Sequence, residues 1–246
     1  MFNYLIQIEY DGTKYVGWQY QKNGISVQEK IEVALKKIFN SKIRIHGAGR
    51  TDKGVHAIGQ FANFLIKKKI DDKNRFLNSI NFFLGKSSIS IIAVKEKKIK
   101  FHARHNAKER IYEYRIVNRL GSLAINKNKA WHVKKNIDLN ILKKAAKILE
   151  GTHDFSTFRA ASCSAISPIK KMNSIKVKKK IDMILITFSS KSFLQNQVRS
   201  MVGCMKYVSV SKWSFSQFKQ AFKSKKRIKC APPAPACGLY LLNIKY

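Results

Sequence analysis

Acidic residues are scarce in this sequence. Lys and Arg number 49 among 246 residues, whereas Asp and Glu number only 14, so the formal net charge is +35. A chain this basic repels itself when compact unless a polyanion neutralises it. Nucleic acid is therefore the first partner to consider, because contacts to phosphate release bound counterions and supply affinity. An A/T-rich gene would also favour lysine, but that bias does not explain so few acids.

Cysteines and long apolar runs are also scarce. The cysteines are Cys163, Cys204, Cys230 and Cys237. They form no C-x-x-C pair and no Cys/His cluster with zinc spacing, which disfavours a disulfide framework or a metal site. We therefore expect free thiols in a reducing cytoplasm. Charged or polar residues interrupt every apolar run, so we expect no membrane span, and the N-terminal segment with Glu9 predicts a strand, not a signal peptide.

The first half of the chain alternates strand and helix patterns. Residues 4–10 alternate in polarity as a strand does. Ser26 and Glu29 have the spacing of a capping box, which predicts a helix start. Further strands are expected near 43–46, 59–65 and 89–94, with a helix over 74–84.

The second half has a similar rhythm. Tyr112, Tyr114 and Ile116 share one face of a strand over 111–118. Asp138 is placed to cap a helix and Gly151 to end it. The remaining expected elements are a hairpin of 174–179 and 183–188, helices over 193–208 and 215–222, and a final strand over 239–246.

This order of elements predicts an α+β fold of two halves, residues 1–104 and 105–246, each a sheet with helices. Three basic clusters, at 67–69, 178–180 and 223–229, are typical of solvated faces. Together they are also suited to contact a phosphate backbone.

The segment Gly-Ala-Gly-Arg-Thr-Asp-Lys-Gly-Val-His-Ala, residues 47–57, combines three glycines with two cations, a hydroxyl and a carboxylate. Glycine-rich backbone allows unusual dihedral angles and close approach of a ligand. From the residues alone, a plain Asx-type tight turn at Asp52-Lys53-Gly54 is the favoured interpretation. A P-loop is excluded, because G-x-x-x-x-G-K-[ST] is absent.

This segment resembles the signature of the tRNA pseudouridine synthase A family. Other segments resemble further elements of that family in the family's order, and together they cover nearly the whole chain. They are residues 10–13 and 17–19, 26–28, 101–104 and 107–115, 151–156, 193–203 and 234–241. The resemblance implies a pseudouridine synthase fold of two similar halves around a central basic cleft. It also implies isomerisation of uridine to pseudouridine at positions 38 to 40 of tRNA, without a cofactor or metal.

The resemblance assigns the catalytic carboxylate to Asp52. Attack on the sugar C1′, addition to the base and abstraction of a sugar proton all remain open for it. Arg199 corresponds to a cation that would keep this carboxylate ionised, although a surface arginine beside phosphate is the alternative. Tyr112 corresponds to the active-site tyrosine, which stacks on uracil or moves a proton, whereas the strand pattern alone favours a core tyrosine.

RNA contacts are expected from Arg50, Lys53, Arg104 and Tyr112. By resemblance, Arg50 helps to evict and hold the flipped base, because a base inside a stem must leave the stack before it reacts. His56 is not assigned a catalytic role. Lys53 stands where the family commonly has alanine, and it adds a cation beside the carboxylate.

Further departures from the family pattern are Cys237, in place of histidine, and Gln195 and Gln197, in place of tyrosine and methionine. They affect the expected rate and fine specificity rather than the reaction type. The resemblance also implies a cytoplasmic homodimer that binds tRNA and no membrane. The alternatives are a non-catalytic tRNA-binding or RNA-folding protein of the same fold, and a basic ribosome-associated protein. Neither requires the set of Asp52, Tyr112 and Arg199.

Overall fold

A computed structural model describes all 246 residues and contains ten β-strands and five α-helices. The strands are β1 (Phe2–Tyr10), β2 (Ile45–Gly47), β3 (His56–Ile66), β4 (Ile89–Lys97), β5 (Glu109–Asn118), β6 (Trp131–Val133), β7 (Gly151–Asp154), β8 (Ile169–Lys180), β9 (Met183–Ser190) and β10 (Leu239–Lys245). The helices are α1 (Val27–Phe39), α2 (Lys73–Leu84), α3 (Leu139–Leu149), α4 (Gln197–Ser209) and α5 (Phe215–Lys223). The α+β class expected from the sequence is confirmed. None of the helices combines the length and apolar character needed to cross a bilayer.

The chain divides into two compact units. Unit 1 comprises Met1–Arg110 and Tyr240–Tyr246, and unit 2 comprises Ile111–Leu239. These bounds differ from the division expected after residue 104. The first boundary, after Arg110, lies six residues beyond the expected one. Residues 240–246 join unit 1 because β10 pairs with β3.

The sheet of unit 1 has β1 between β4 and β3, antiparallel to both. β2 adds to β3 in antiparallel register, and β10 runs parallel to β3. The alternation that predicted the first strand is confirmed, since the side chains of Tyr4, Ile6 and Ile8 are fully buried. Leu5 is buried as well, which shows that both faces of this strand are covered.

The helices of unit 1 begin where side chains satisfy their first amides. Ser26 Oγ accepts from the Glu29 amide at 3.2 Å, and Glu29 Oε2 accepts from the Ser26 amide at 3.4 Å, so the predicted capping box is confirmed. Asp72 Oδ1 caps α2 by accepting from the amides of Asn74 and Arg75, each at 2.9 Å. The two helices pack on each other, and α2 also packs against β4.

The sheet of unit 2 has the strand order β5, β9, β8, β7, with β6 parallel to β5. β8 and β9 form the predicted hairpin, and α3 packs against β8 and against α4. Asp138 caps α3 as predicted, and Gly151, at φ +98°, follows its C-cap residue. The short strands β6 and β7 were not expected, because three or four residues show too little alternation.

The helix expected over residues 193–208 is shorter than predicted. It begins at Gln197, because Asn196 adopts φ 62° and ψ 2°, the left-handed conformation. A right-handed helix cannot continue through such a residue, so Phe193 and Leu194 lie in the preceding loop. Val198 and Val202 of this helix are buried.

Candidate active site

The Asp52 loop, residues 48–55, connects β2 to β3 in unit 1. The Val55 amide donates to the Asp52 carbonyl at 3.1 Å, and Gly54 adopts φ +78°. A positive φ at the third residue of a four-residue turn is the geometry that glycine supplies. The tight turn expected at Asp52-Lys53-Gly54 is therefore present. It leaves the Asp52 side chain half-buried, between the exposed Arg50 and Lys53.

A second backbone segment, which includes Gly17 and Trp18, pairs with the Asp52 loop. Gly17 forms an isolated antiparallel bridge with Asp52, and the Trp18 amide donates to the Thr51 carbonyl at 3.1 Å. Gly17 has φ +123°, and a Cβ there would lie 2.6 Å from the Thr51 carbonyl oxygen. Glycine is required at residue 17 for both reasons. The segment 17–19, which matched the family in the sequence, thus positions the backbone of Asp52.

Side-chain hydrogen bonds fix the same loop at two further points. The hydroxyls of Tyr10 and Thr51, both buried, lie 2.8 Å apart. Gln60 Nε2 donates to the Gly49 carbonyl at 2.7 Å. Buried polar groups bonded in this way lose their freedom to move. The backbone that carries the Asp52 carboxylate is therefore restrained.

His56, the first residue of β3, is buried beneath the loop. Its Nδ1 atom lies 3.0 Å from Asp11 Oδ1 and 3.1 Å from the Gly12 amide nitrogen, so it can donate to the first or accept from the second. Its ring stacks on Tyr240 with centroids 4.7 Å apart. These contacts hold His56 between the Asp11-Gly12 turn and the ring of Tyr240. Its exclusion from the catalytic set stays a prediction.

Tyr112 lies on β5 in unit 2. Its side chain is buried, and its ring meets Phe193 edge-on with centroids 5.0 Å apart. Tyr114, on the same face, is fully buried and donates its hydroxyl to the Pro235 carbonyl at 2.7 Å. Burial raises the pKa of Tyr114 well above its usual value, with Cys237 adding to the rise and Arg199 opposing it.

Arg199 lies in the first turn of α4 and is half-buried. Its Nε donates to the Ala234 carbonyl at 2.7 Å, and its Nη1 donates to Asn196 Oδ1 at 3.2 Å. The Ala234 amide donates in return to the Arg199 carbonyl at 2.9 Å. The guanidinium is thus oriented by Asn196, which precedes the helix, and by Ala234 of the segment Ala234-Pro235-Ala236. Burial raises the pKa of Cys237, which follows that segment.

Comparison with known proteins supports the resemblance found in the sequence. The family model described as tRNA pseudouridine synthase matches residues 6–106 and 145–246. The chain belongs to this family. A relative named tRNA pseudouridine synthase A from Pelagibacter ubique is 52% identical over the full length of both chains. Another of that name, from Maricaulis maris, is 42% identical over 100% of this chain and 98% of its own.

Among solved structures, a chain of a Cbf5-Nop10-Gar1 complex superposes on 82% of this chain and 44% of its own length. Its sequence identity is 10% and its TM-score is 0.37, too low to support any conclusion.

One buried arginine of unit 1 was missed by sequence analysis. Arg110 is nine-tenths buried, and its Nε and Nη2 atoms donate to the Ala48 carbonyl at 3.1 and 2.7 Å. Nη2 also donates to the Arg104 carbonyl at 2.9 Å. Arg110 therefore ties the start of the Asp52 loop to the segment that contains Arg104. The signal for Arg110 in the sequence was its place in the segment 107–115, which resembles the family.

A cluster of three histidines adjoins the exposed Arg104 and was also missed. The ring centroids of His102 and His105 lie 4.3 Å apart, and those of His102 and His46 lie 5.2 Å apart. The Arg104 amide donates to His102 Nδ1 at 3.1 Å. Partial burial, followed by the neighbouring His105, His46 and Arg104, lowers the pKa of His102. This cluster adds ring faces and donors beside one of the expected RNA-binding residues.

Proposed function

We propose that this chain isomerises uridine to pseudouridine at positions 38 to 40 of tRNA, with Asp52 as the reacting carboxylate. Membership of the tRNA pseudouridine synthase family supports the reaction and the substrate class. The restrained loop that presents a half-buried Asp52 is the structural observation that supports the choice of residue. The position in tRNA is proposed from the sequence resemblance.

The chemistry requires a group that acts at the sugar or the base. The C1′–N1 bond of uridine breaks and a C1′–C5 bond forms, while N1 gains a proton and C5 loses one. Because the product is an isomer, the atoms balance without a co-reactant. A fixed carboxylate suits this reaction as a nucleophile or a base, and restraint of the loop keeps it in place.

The roles of Tyr112 and Arg199 are part of the same proposal. Arg199 would favour the ionised form of the catalytic carboxylate, and Tyr112 would stack on the uracil or transfer a proton. The hydrogen bonds from Arg199 to Ala234 and Asn196 fix its guanidinium, as a side chain paired with the catalytic carboxylate would require. They are not expected of a mobile surface arginine. Both assignments, like the central basic cleft, stay predictions.

RNA binding is proposed for Arg50, Lys53 and Arg104, all three of which are exposed. Arg50 would hold the flipped nucleotide, since the target base must leave its stem to react. The net charge of +35 supports tRNA binding that is mainly electrostatic. A homodimer in the cytoplasm that binds no membrane is proposed from the resemblance alone.

The test compares two variants that remove the same charge. Asp52→Asn and Asp71→Asn each replace one carboxylate of unit 1, and Asp71 is exposed and lies outside the Asp52 loop. Each purified protein is incubated with unmodified tRNA, pseudouridine is mapped chemically at each position, and tRNA binding is measured separately. We expect Asp52→Asn to bind tRNA and form no product, whereas Asp71→Asn matches the wild type.

Three results would contradict the proposal at different points. Product formation by Asp52→Asn at the wild-type rate would exclude Asp52 as the reacting group. Wild-type product outside positions 38 to 40 would exclude the proposed target. A wild-type protein that binds tRNA without forming pseudouridine would favour the non-catalytic tRNA-binding alternative.

A further inference from the structure

Two cysteines far apart in sequence lie side by side in unit 2. The Sγ atoms of Cys204 and Cys230 are 3.5 Å apart. Cys204 is buried in the middle of α4, and Cys230 follows the 3-10 turn of Arg227–Lys229 and is half-buried. Neither residue belongs to the Asp52 loop or to the assigned catalytic set.

The surroundings of the pair distinguish the two sulfurs. The hydrogen bond with Cys204 lowers the pKa of Cys230 against the opposing effect of burial, and Arg227 and Ser200 lower it further. Conversely, the pKa of Cys204 is raised by its bond to Cys230 and by burial. The Ala231 amide lies 3.3 Å from Cys204 Sγ and donates to it. Cys230 is the more exposed of the two cysteines, so its sulfur is the one that a small oxidant reaches first.

We propose that Cys204 and Cys230 are a redox-active pair that closes to a reversible disulfide when the protein meets a peroxide. The Cys230 thiolate attacks one peroxide oxygen, the O–O bond breaks, and a sulfenic acid and hydroxide form. The Cys204 sulfur then attacks the Cys230 sulfur, its proton leaves with the hydroxyl group as water, and the S–S bond forms. The two sulfurs lose two electrons, which the peroxide gains.

The geometry requires little movement for this step. A disulfide bond is about 2.05 Å long, so the sulfurs must approach each other by roughly 1.5 Å. The segment after Cys230 already lies close to α4, since a Cβ at Gly203 would stand 2.2 Å from the Pro232 carbonyl oxygen. The bridge would tie α4 to the segment whose Ala234 carbonyl accepts from Arg199.

Thiol counting after peroxide treatment tests the proposal on the intact protein. Free thiols are titrated under denaturing conditions with a chromogenic disulfide reagent, and the protease digest is analysed by mass spectrometry without reduction. We expect the wild type to fall from four free thiols to two, to yield a linked peptide pair containing Cys204 and Cys230, and to regain four with dithiothreitol.

Variants separate this pair from the other two cysteines. The double variant Cys163→Ser/Cys237→Ser keeps only the proposed pair and should lose both of its thiols to the bridge. Cys204→Ser should stop at a Cys230 sulfenic acid, which dimedone traps. The proposal is overturned if peroxide-treated wild type keeps four thiols, forms a bridge to Cys163 or Cys237, or carries Cys230 only as sulfinic acid. None of these readouts depends on the proposed tRNA reaction.

Discussion

Gly17 and Asp52 pair through an isolated backbone bridge, in which the space for a side chain at residue 17 is taken by the Thr51 carbonyl. A glycine distant in sequence therefore sets the position of the carboxylate proposed to react. Glycine is required at residue 17 because this residue combines a positive φ with a close backbone neighbour. Changes at Gly17 should act on the reaction through the placement of Asp52.

Replacement of Gly17 by alanine should slow pseudouridine formation, although glycine has no side chain that could take part in the reaction. We expect Gly17→Ala to lower the rate of pseudouridine formation by about 10²-fold, because small misplacement of a reacting group has effects of that order. Gly121→Ala is the matched control, since Gly121 is exposed and no atom lies within 4 Å of its Cβ position. Rates are compared at a temperature where circular dichroism shows all three proteins folded. Equal rates for both variants would show that the bridge does not position Asp52.

The left-handed residue before α4 gives a prediction about stability. Asn196→Ala should lower the free energy of unfolding by about 1 kcal/mol more than Asn196→Gly, because a Cβ disfavours positive φ. Both variants remove the acceptor of the Arg199 Nη1 bond, so their difference isolates the backbone. Urea unfolding measures it, and a more stable alanine variant would contradict the prediction.

The histidine cluster predicts a pH dependence of stability. Since the pKa of His102 is lowered in the folded state, the unfolded chain binds a proton at the usual value of about 6.5 while the folded chain resists it. Stability contributed by neutral His102 is therefore present above that pH and is lost as the pH falls toward the folded pKa. We expect urea midpoints of the wild type to fall more steeply between pH 7.5 and 5.5 than those of His102→Gln. Parallel curves would remove His102 as the cause.

The salt dependence of tRNA binding should show whether the basic clusters contact phosphate or form solvated faces. If about six phosphates are neutralised, tRNA affinity should fall roughly 10³-fold between 50 and 200 mM salt. Lys178, Lys179 and Lys180 lie exposed at the end of β8. Their replacement by alanine should make the slope of log affinity against log salt shallower by about one per contacting lysine. An unchanged slope in fluorescence anisotropy titrations would show that they form a solvated face.

Features that depend on near neighbours were predictable from the sequence. The capping box of Ser26 and Glu29 and the cap at Asp138 involve residues two or three positions apart, and all were found. The start of α4 was wrong by four residues, because Phe193 and Leu194 fit an apolar helix face while the conformation of Asn196 interrupts it. Asparagine is permitted in that conformation but does not dictate it.

Features that depend on strand register were not predictable. His46 pairs with Asn63 on β3, and Asn63 Oδ1 accepts from the Ala103 amide at 2.8 Å, which brings the histidines together. No spacing in the sequence indicates such a link. The Cys204–Cys230 pair also escaped notice, since its sulfurs meet only after the chain has folded. Arg110 lay in a segment that matched the family, but no spacing indicated its acceptors, the carbonyls of Ala48 and Arg104.

The return of β10 to unit 1 has a consequence for synthesis on the ribosome. Residues 240–246 supply a strand beside β3, and the rings of Phe61 and Phe101 contact Tyr246. Unit 2, an uninterrupted stretch of chain, is complete before these residues emerge from the exit tunnel. Most of unit 1 is translated first, yet its sheet is completed only by a strand that is synthesised after the whole of unit 2.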